Sequence, residues 1–195
     1  MEPIILASSS PRRQEILKML KIPFRVIIPN IDETLSSAVE LEQIPELLAR
    51  EKVAAVIDSL KGQEIPWVLG ADTVILFDDK ILGKPQDHEQ AIEYLKMLQG
   101  KTHTVVTSIV LYNGHTHETS SKICKTQVTF NPMTDEEINW YVETGEWHGA
   151  AGGYRIQSLA SCFIGKLEGS YSCVIGLPIS ELYDILKEQG YSILE

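Results

Sequence analysis

The segment Trp67-Val68-Leu69-Gly70-Ala71-Asp72-Thr73-Val74-Ile75-Leu76-Phe77 constrains this chain more than any other. It is largely apolar, and too short and too rich in β-branched residues to prefer helix, so it reads as a central strand. Such a strand needs a sheet around it and helices to cover the sheet. The flanking pattern supplies both. Residues 4–7 form a short apolar strand, and 11–20 a helix with Ile16, Leu17 and Leu20 on one face, Ser10 as N-cap and Pro11 at the first helical position. A strand is expected at 24–28, then a polar loop through Asn30, Asp32 and Glu33, then a helix at 45–60 that Lys61-Gly62 stops. Gly83-Lys84-Pro85 turns the chain into a helix at 87–98. β-Branched density rises over 102–130, where Asn113-Gly114 marks a hairpin. Thr134 and Glu137 stand at capping-box spacing before a helix that runs to 144, and Gly149 to Gly153 form a loop. A strand at 163–167 and a helix at 178–189 close the chain. The expected fold is one α/β domain over 1–195, a mixed twisted sheet with flanking helices in two lobes around a cleft.

With 195 residues the chain should bury roughly 70% of its unfolded surface, enough for a real core. Its 17 Lys plus Arg face 27 Asp plus Glu, a formal net charge of −10, which argues against a binder of nucleic-acid polymers. A locally basic cleft remains compatible with that balance. Only Ile4-Ile5-Leu6-Ala7 are apolar before Ser8, far short of a signal-peptide core or a membrane span, so a cytoplasmic protein without membrane contact is expected. Cys124, Cys162 and Cys173 are odd in number and lack C-x-x-C spacing, which speaks against disulfide scaffolds and zinc cages. They read as small buried or half-buried residues.

The segment Ser8-Ser9-Ser10-Pro11-Arg12-Arg13 passes from a buried strand through hydroxyl residues into a helix start. Free backbone N–H groups, hydroxyls and two guanidinium forks suit phosphate oxygens, though the same residues also describe an ordinary cap with two solvated arginines. Asp72, placed directly after the apolar stretch, and the pair Asp32-Glu33 lie where strand ends face a ligand crevice. Their hard oxygens suit Mg²⁺ or Mn²⁺, and one carboxylate there could take a proton from water; a turn aspartate and a solvated loop are the plainer alternative. Lys52 and Lys84 are cationic candidates, Lys84 the stronger because a Gly-Lys-Pro turn is rigid. Gly100-Lys101-Thr102 is not a phosphate loop, because Leu95 occupies the place of the upstream glycine; it reads as a helix end running into a strand. His115 and His117 share a strand face beside the hairpin turn, but no third metal ligand is near.

Six segments in order and spacing carry a resemblance over essentially the whole chain. They are Leu6-Ala7-Ser8-Ser9-Ser10-Pro11-Arg12-Arg13, Arg50-Glu51-Lys52, Leu69-Gly70-Ala71-Asp72-Thr73, Gly83-Lys84-Pro85, Ala151-Gly152-Gly153-Tyr154 with Ile156-Gln157, and Val174-Ile175-Gly176-Leu177-Pro178. Together they resemble the Maf-like nucleoside triphosphate pyrophosphatases. The resemblance implies a fold related to inosine triphosphatases, a divalent metal cation and cleavage of a nucleoside triphosphate to monophosphate and pyrophosphate. It implies that Asp72 accepts the proton of the attacking water and that Glu33, with Asp72, is linked to the metal. Ser8, Arg12, Arg13, Lys52 and Lys84 become phosphate ligands, as charge-neutralising phosphoryl chemistry requires. A homodimer is a further family expectation.

Arg12, Thr73 and Gln157 resemble the pyrimidine-type members, which act on dTTP and UTP. The 7-methylguanosine triphosphate branch, with Trp at the position of Arg12, is the alternative. A different class of reading, also carried by the family, is a regulatory protein that arrests cell division by binding a partner. The chain departs from the family pattern at Ala150, where Lys is usual, and at Arg155, where Gly is usual. The expectation drawn from this is that the Arg155 guanidinium replaces the lost ammonium at the triphosphate.

Overall fold

The structure is a computed structural model and describes residues 1–31 and 40–194. Seven strands form a mixed sheet of order β2-β1-β3-β5-β6-β7, with β4 paired to β3. These strands are β1 Ile4–Ala7, β2 Phe24–Val26, β3 Trp67–Phe77, β4 Lys80–Leu82, β5 Thr102–Asn113, β6 Glu118–Phe130 and β7 Ile164–Glu168. The helices are α1 Pro11–Met19, α2 Ile44–Ser59, α3 His88–Leu98, α4 Asp135–Glu143, α5 Tyr171–Ile175 and α6 Ile179–Glu188. The chain forms two compact units, each assembled from separate stretches of sequence.

The first unit comprises Met1–Asp72, Thr107–Cys124 and Gly176–Glu195. Strand β1 is buried along its whole length and runs parallel to both neighbours, with Ile4 opposite Phe24 and Ala7 opposite Gly70. Full burial explains its unbroken apolar run, because a parallel strand covered on both faces has no solvent side to mark with polar residues. Ile5, Ala7, Ala49, Val53, Val56, Val68 and Val110 share one core cluster. Strand β2 ends at Val26, two residues before the expected end. Among the described residues its partner is β1, which stops at Ala7, and Ile28, past the end of that pairing, stands exposed.

The second unit comprises Thr73–Val106 and Lys125–Ile175. Here β3 turns back on itself as an antiparallel hairpin with β4, Ile75 opposite Leu82 and Phe77 opposite Lys80. That hairpin was not expected from the sequence. Its two turn residues, Asp78 and Asp79, both adopt positive φ (48° and 56°), as a two-residue turn matching the strand twist demands, and aspartate tolerates that region better than most residues. Helix α3 is capped by Asp87, whose carboxylate accepts from the Gln90 N–H at 2.8 Å. Helix α4 begins with the expected capping box, both reciprocal bonds between Thr134 and Glu137 being present. Ile75, Phe77, Leu82, Ala91, Leu95, Val128, Phe130, Tyr141 and Tyr154 pack in this unit's core.

The β5–β6 hairpin lies where Asn113-Gly114 placed it, but its loop spans residues 114–117 rather than two residues. The physical reason is local. The Ile65 carbonyl lies where a Gly114 side chain would be, so this glycine serves close backbone approach, and the positive φ falls instead on His117 (57°). Each loop histidine has its own partner, His115 with Glu2 and His117 with Tyr112. Of the cysteines, Cys124 and Cys173 are buried as expected, whereas Cys162 is exposed. No helix among the described residues is long and apolar enough to cross a membrane.

Candidate active site

Strand β3 runs to Phe77, as the 67–77 reading placed it, so Asp72 sits inside the strand and not at its end. The expectation of a strand-end carboxylate is corrected accordingly. The parallel neighbour β1 nevertheless stops at Ala7, opposite Gly70, so Asp72 stands just beyond the carboxyl end of the parallel pair. Successive strand residues alternate faces, which puts Gly70 and Asp72 on the same side of β3. A Cβ at Gly70 would lie 2.6 Å from both the Ala49 carbonyl oxygen and Val53 Cγ2 of α2. The missing side chain therefore lets α2 approach the strand closely. Ala49, Lys52 and Val53 share one helix face by their spacing, and the face that meets Gly70 also delivers Lys52 to Asp72. Lys52 Nζ donates to Asp72 Oδ1 at 2.5 Å, and both residues are buried, 7% and 8% exposed. Arg50, in the same sequence motif, is turned elsewhere, donating to Glu46 at 2.7 Å and to Ser121 at 2.7 Å.

Ser8 follows β1 directly and is also buried. Its Oγ accepts from Arg13 Nη1 at 3.0 Å and from the Ser10 N–H at 3.2 Å, which leaves its own O–H as a donor. Ser10 occupies the N-cap position of α1 but its side chain makes no cap bond, so the hydroxyl that serves this helix start is that of Ser8. Arg13 is not a solvated arginine. It is 9% exposed, and its Nε donates to the Gly176 carbonyl at 2.8 Å. The two guanidinium nitrogens thus tie the loop after β1 to the Gly176-Leu177-Pro178 segment. Arg13, expected as a phosphate ligand, is buried and bonded to both Ser8 and Gly176. Arg12, the next residue back on α1, is half-buried.

The remaining candidates among the described residues belong to the second unit. Lys84 is exposed on the loop after β4, and that loop is held from behind. The Gly152 N–H donates to the Gly83 carbonyl at 2.9 Å, and a Cβ at Gly153 would lie 3.2 Å from Pro85. Gly152 has φ of 67° and packs against Ile75 with no room for a side chain, so the segment 151–153 is a glycine-dependent support for the Lys84 turn. Thr73 is half-buried on β3, and Gln157 is exposed in the turn after Tyr154. Arg155 Nη2 donates to the His148 carbonyl at 2.7 Å, so this guanidinium is engaged within its own loop. Glu33 lies outside the described residues.

Sequence reasoning overlooked His103 and Glu146, which shape these loops. His103 and Tyr154 share a buried hydrogen bond of 2.7 Å, and burial pulls the His103 imidazole down to about 4 from 6.5. Glu146 accepts from Ser158 and from the Leu159 N–H. Both roles join distant stretches of chain, and neither residue has a local pattern that would announce it.

The donor set bears on the expected cation. Mg²⁺ is usually held by one or two carboxylates and completes its shell with water and phosphate oxygens. The described residues contain no group of three or more His, Cys, Asp or Glu placed to hold a metal ion. They do offer Asp72, whose Oδ2 is not the oxygen that Lys52 holds. Among the described residues, a single Asp72 carboxylate fits a cation whose remaining shell comes from water and phosphate oxygens.

The sequence model of the family described as "Maf-like protein" matches residues 3–189. A dTTP/UTP pyrophosphatase of Desulforamulus reducens is 44% identical over 194 residues, covering 100% of both chains. Another dTTP/UTP pyrophosphatase, from Thermosipho africanus, is 45% identical over 187 residues, 96% of this chain and 93% of that one. Among solved structures, the Staphylococcus aureus Ham1 protein overlaps 66% of this chain and 72% of its own, with a TM-score of 0.47 at 18% identity.

Proposed function

Because this chain belongs to the Maf-like protein family, we propose that it hydrolyses dTTP and UTP to the nucleoside monophosphate and pyrophosphate. The buried Lys52–Asp72 pair, in the same compact unit as the buried Ser8 hydroxyl, is the observation that carries this reading. A hydrolase of polyphosphates needs a proton acceptor, hydrogen-bond donors for phosphate oxygens and positive charge, and these residues supply all three. In the proposed reaction a water oxygen forms a bond to the α-phosphorus, the bond from that phosphorus to the α–β bridging oxygen breaks, and Asp72 takes the proton of the water. Lys52 holds the carboxylate in place through Oδ1 and adds positive charge next to it. Ser8 donates its hydroxyl to a phosphate oxygen, oriented by Arg13. Arg12 and Lys84 bind further phosphate oxygens. Asp72 Oδ2, with Glu33, would hold a divalent cation, which supplies neutralisation of phosphate charge when bound.

The test is a panel of dTTP, UTP, CTP, GTP, 7-methyl-GTP and ITP with Mg²⁺ or Mn²⁺, products being separated by chromatography. Monophosphate and pyrophosphate from dTTP and UTP are expected, with activity lost on chelation and restored by either cation. Asp72→Asn should lower kcat by about 10²-fold or more, the scale of a removed general base. Release of orthophosphate, preference for a purine, or an undiminished Asp72→Asn enzyme would each overturn the reading.

A further inference from the structure

Arg50 shares a short motif with Lys52, but its bonds run along α2 and across to β6 rather than to Asp72. Its Nε and Nη2 donate to Glu46 Oε1 at 2.9 and 2.7 Å, and Nη2 also donates to Ser121 Oγ at 2.7 Å. Ser121 in turn donates its hydroxyl to the same Glu46 oxygen at 2.7 Å, which closes a three-residue ring between α2 and β6. The hydrogen bond from Ser121, more than those from Arg50, holds the Glu46 carboxyl below its ordinary range. These residues, together with Lys52 and Asp72, all lie in the first unit. Two kinds of contact thus hold α2 on the sheet, and they fix different things. Ala49, Val53 and Val56 pack with Ile5, Val68 and Val110, and the bare Gly70 sets how near the helix comes. Apolar contact is non-directional and resists turning of the helix about its own axis only weakly. Hydrogen bonds require distance and angle together, so the ring at Ser121 fixes that turn. Helical spacing points Arg50 and Lys52, two positions apart, to nearly opposite sides of α2. A rotation that broke the ring would therefore also swing the Lys52 ammonium off the Asp72 oxygen.

We propose that Ser121 is a positioning residue for the Lys52–Asp72 pair: its hydroxyl, tied to Glu46 and Arg50, sets the rotation of α2 that brings Lys52 Nζ onto Asp72 Oδ1. As a statement about catalysis this rests on the pyrophosphatase reading above. Ser121 acts through the helix and does not touch the reacting atoms. The Glu46–Arg50 pair is itself partly open to water, with side chains 27% and 44% exposed, and ion pairs in such places stabilise a fold little. The effect of the ring therefore falls on the geometry of the pair rather than on stability.

Two readouts test this: turnover of UTP with kcat and KM determined separately, and acetylation of Lys52 in the folded protein by an N-hydroxysuccinimide ester, followed by mass spectrometry. Ser121→Ala should lower kcat about fivefold with KM changed by less than about twofold, and leave the urea midpoint nearly unchanged. Ser121→Thr, which keeps the hydroxyl, should restore kcat. Ser121→Ala combined with Arg50→Ala should fall no more than about twofold below either single variant, because both cut the same ring. Lys52, only 7% exposed, should label slowly in the unmutated protein and at least about threefold faster in Ser121→Ala, while the exposed Lys166 labels alike in both. In an active enzyme, an unchanged kcat, unchanged labelling of Lys52 or additive losses would each overturn the proposal, and a large fall in the urea midpoint of Ser121→Ala would assign the ring to stability instead. An unmutated protein inactive on every nucleotide would overturn the functional reading, and the labelling of Lys52 would then decide the positioning by itself.

Discussion

Burial decides the behaviour of single residues here, as His103 illustrates. It is 2% exposed, shares its Nε2 with Tyr154, and lies against the Phe130 and Tyr154 rings. Desolvation favours the neutral imidazole and lowers its pKa to about 4, against 6.5 in an unfolded chain. The unfolded state therefore binds the proton first as pH falls. Stability from this residue is fully present above about pH 6.5 and drains away towards pH 4, by about 3 kcal/mol in all. Urea denaturation at pH 7.5 and pH 4.5 should show this difference, and His103→Gln should remove it. An equal pH slope in both proteins would contradict the assignment. The Asp72–Lys52 pair belongs to the same scale. Both residues were legible as candidates because each sits in a short motif, but their contact was not, since twenty positions separate them.

Between a helix and a strand, the decisive residue is the one without a side chain. Gly70 allows α2 to meet β3 at a distance that brings Lys52 to Asp72. Gly70→Ala would place a methyl group 2.6 Å from the Ala49 carbonyl and Val53 Cγ2, and neither neighbour is a flexible side-chain end. Overpacking of this kind typically costs about 1–3 kcal/mol. The variant should therefore lose stability in that range in chemical denaturation, and its kcat should fall at least about tenfold as Lys52 and Asp72 move apart. A stable variant with full activity would show that the helix position is not what sets the pair. Local signals were read well wherever they act locally. The capping box at Thr134 and Glu137 and the helix end at Gly100 appear where their residues placed them. The β3–β4 hairpin was missed because Asp78-Asp79 is a weaker turn signal than Asn-Gly, and the β5–β6 loop was misread because Gly114 answers to Ile65 rather than to its own turn.

The molecule as a whole carries a net charge of −10, while the proposed ligand is itself a polyanion. Recognition must then rest on the few cations gathered near phosphate, since the long-range field repels. A duplex of nucleic acid, which needs many such contacts, should bind with Kd weaker than about 100 μM at 0.15 M salt. Fluorescence anisotropy with a labelled duplex checks this, and saturable binding at low micromolar protein would contradict it. The same scale separates what each level of description determines. The sequence alone determined the alternation of strands and helices, the family, and a set of charged candidates, because hydrophobic period, caps, turns and short motifs are encoded within a few consecutive residues. The tertiary structure alone decided which candidates are buried and what each is bonded to. Arg13 and Arg12 are twins in the sequence, and the bonds of Arg13 to Ser8 and Gly176 appear only in the fold, as do those of Glu146 with Ser158 and Leu159. Apart from the bond to Ser8, five positions away, those contacts reach across 12 to 163 positions of sequence, a range over which no local pattern carries information.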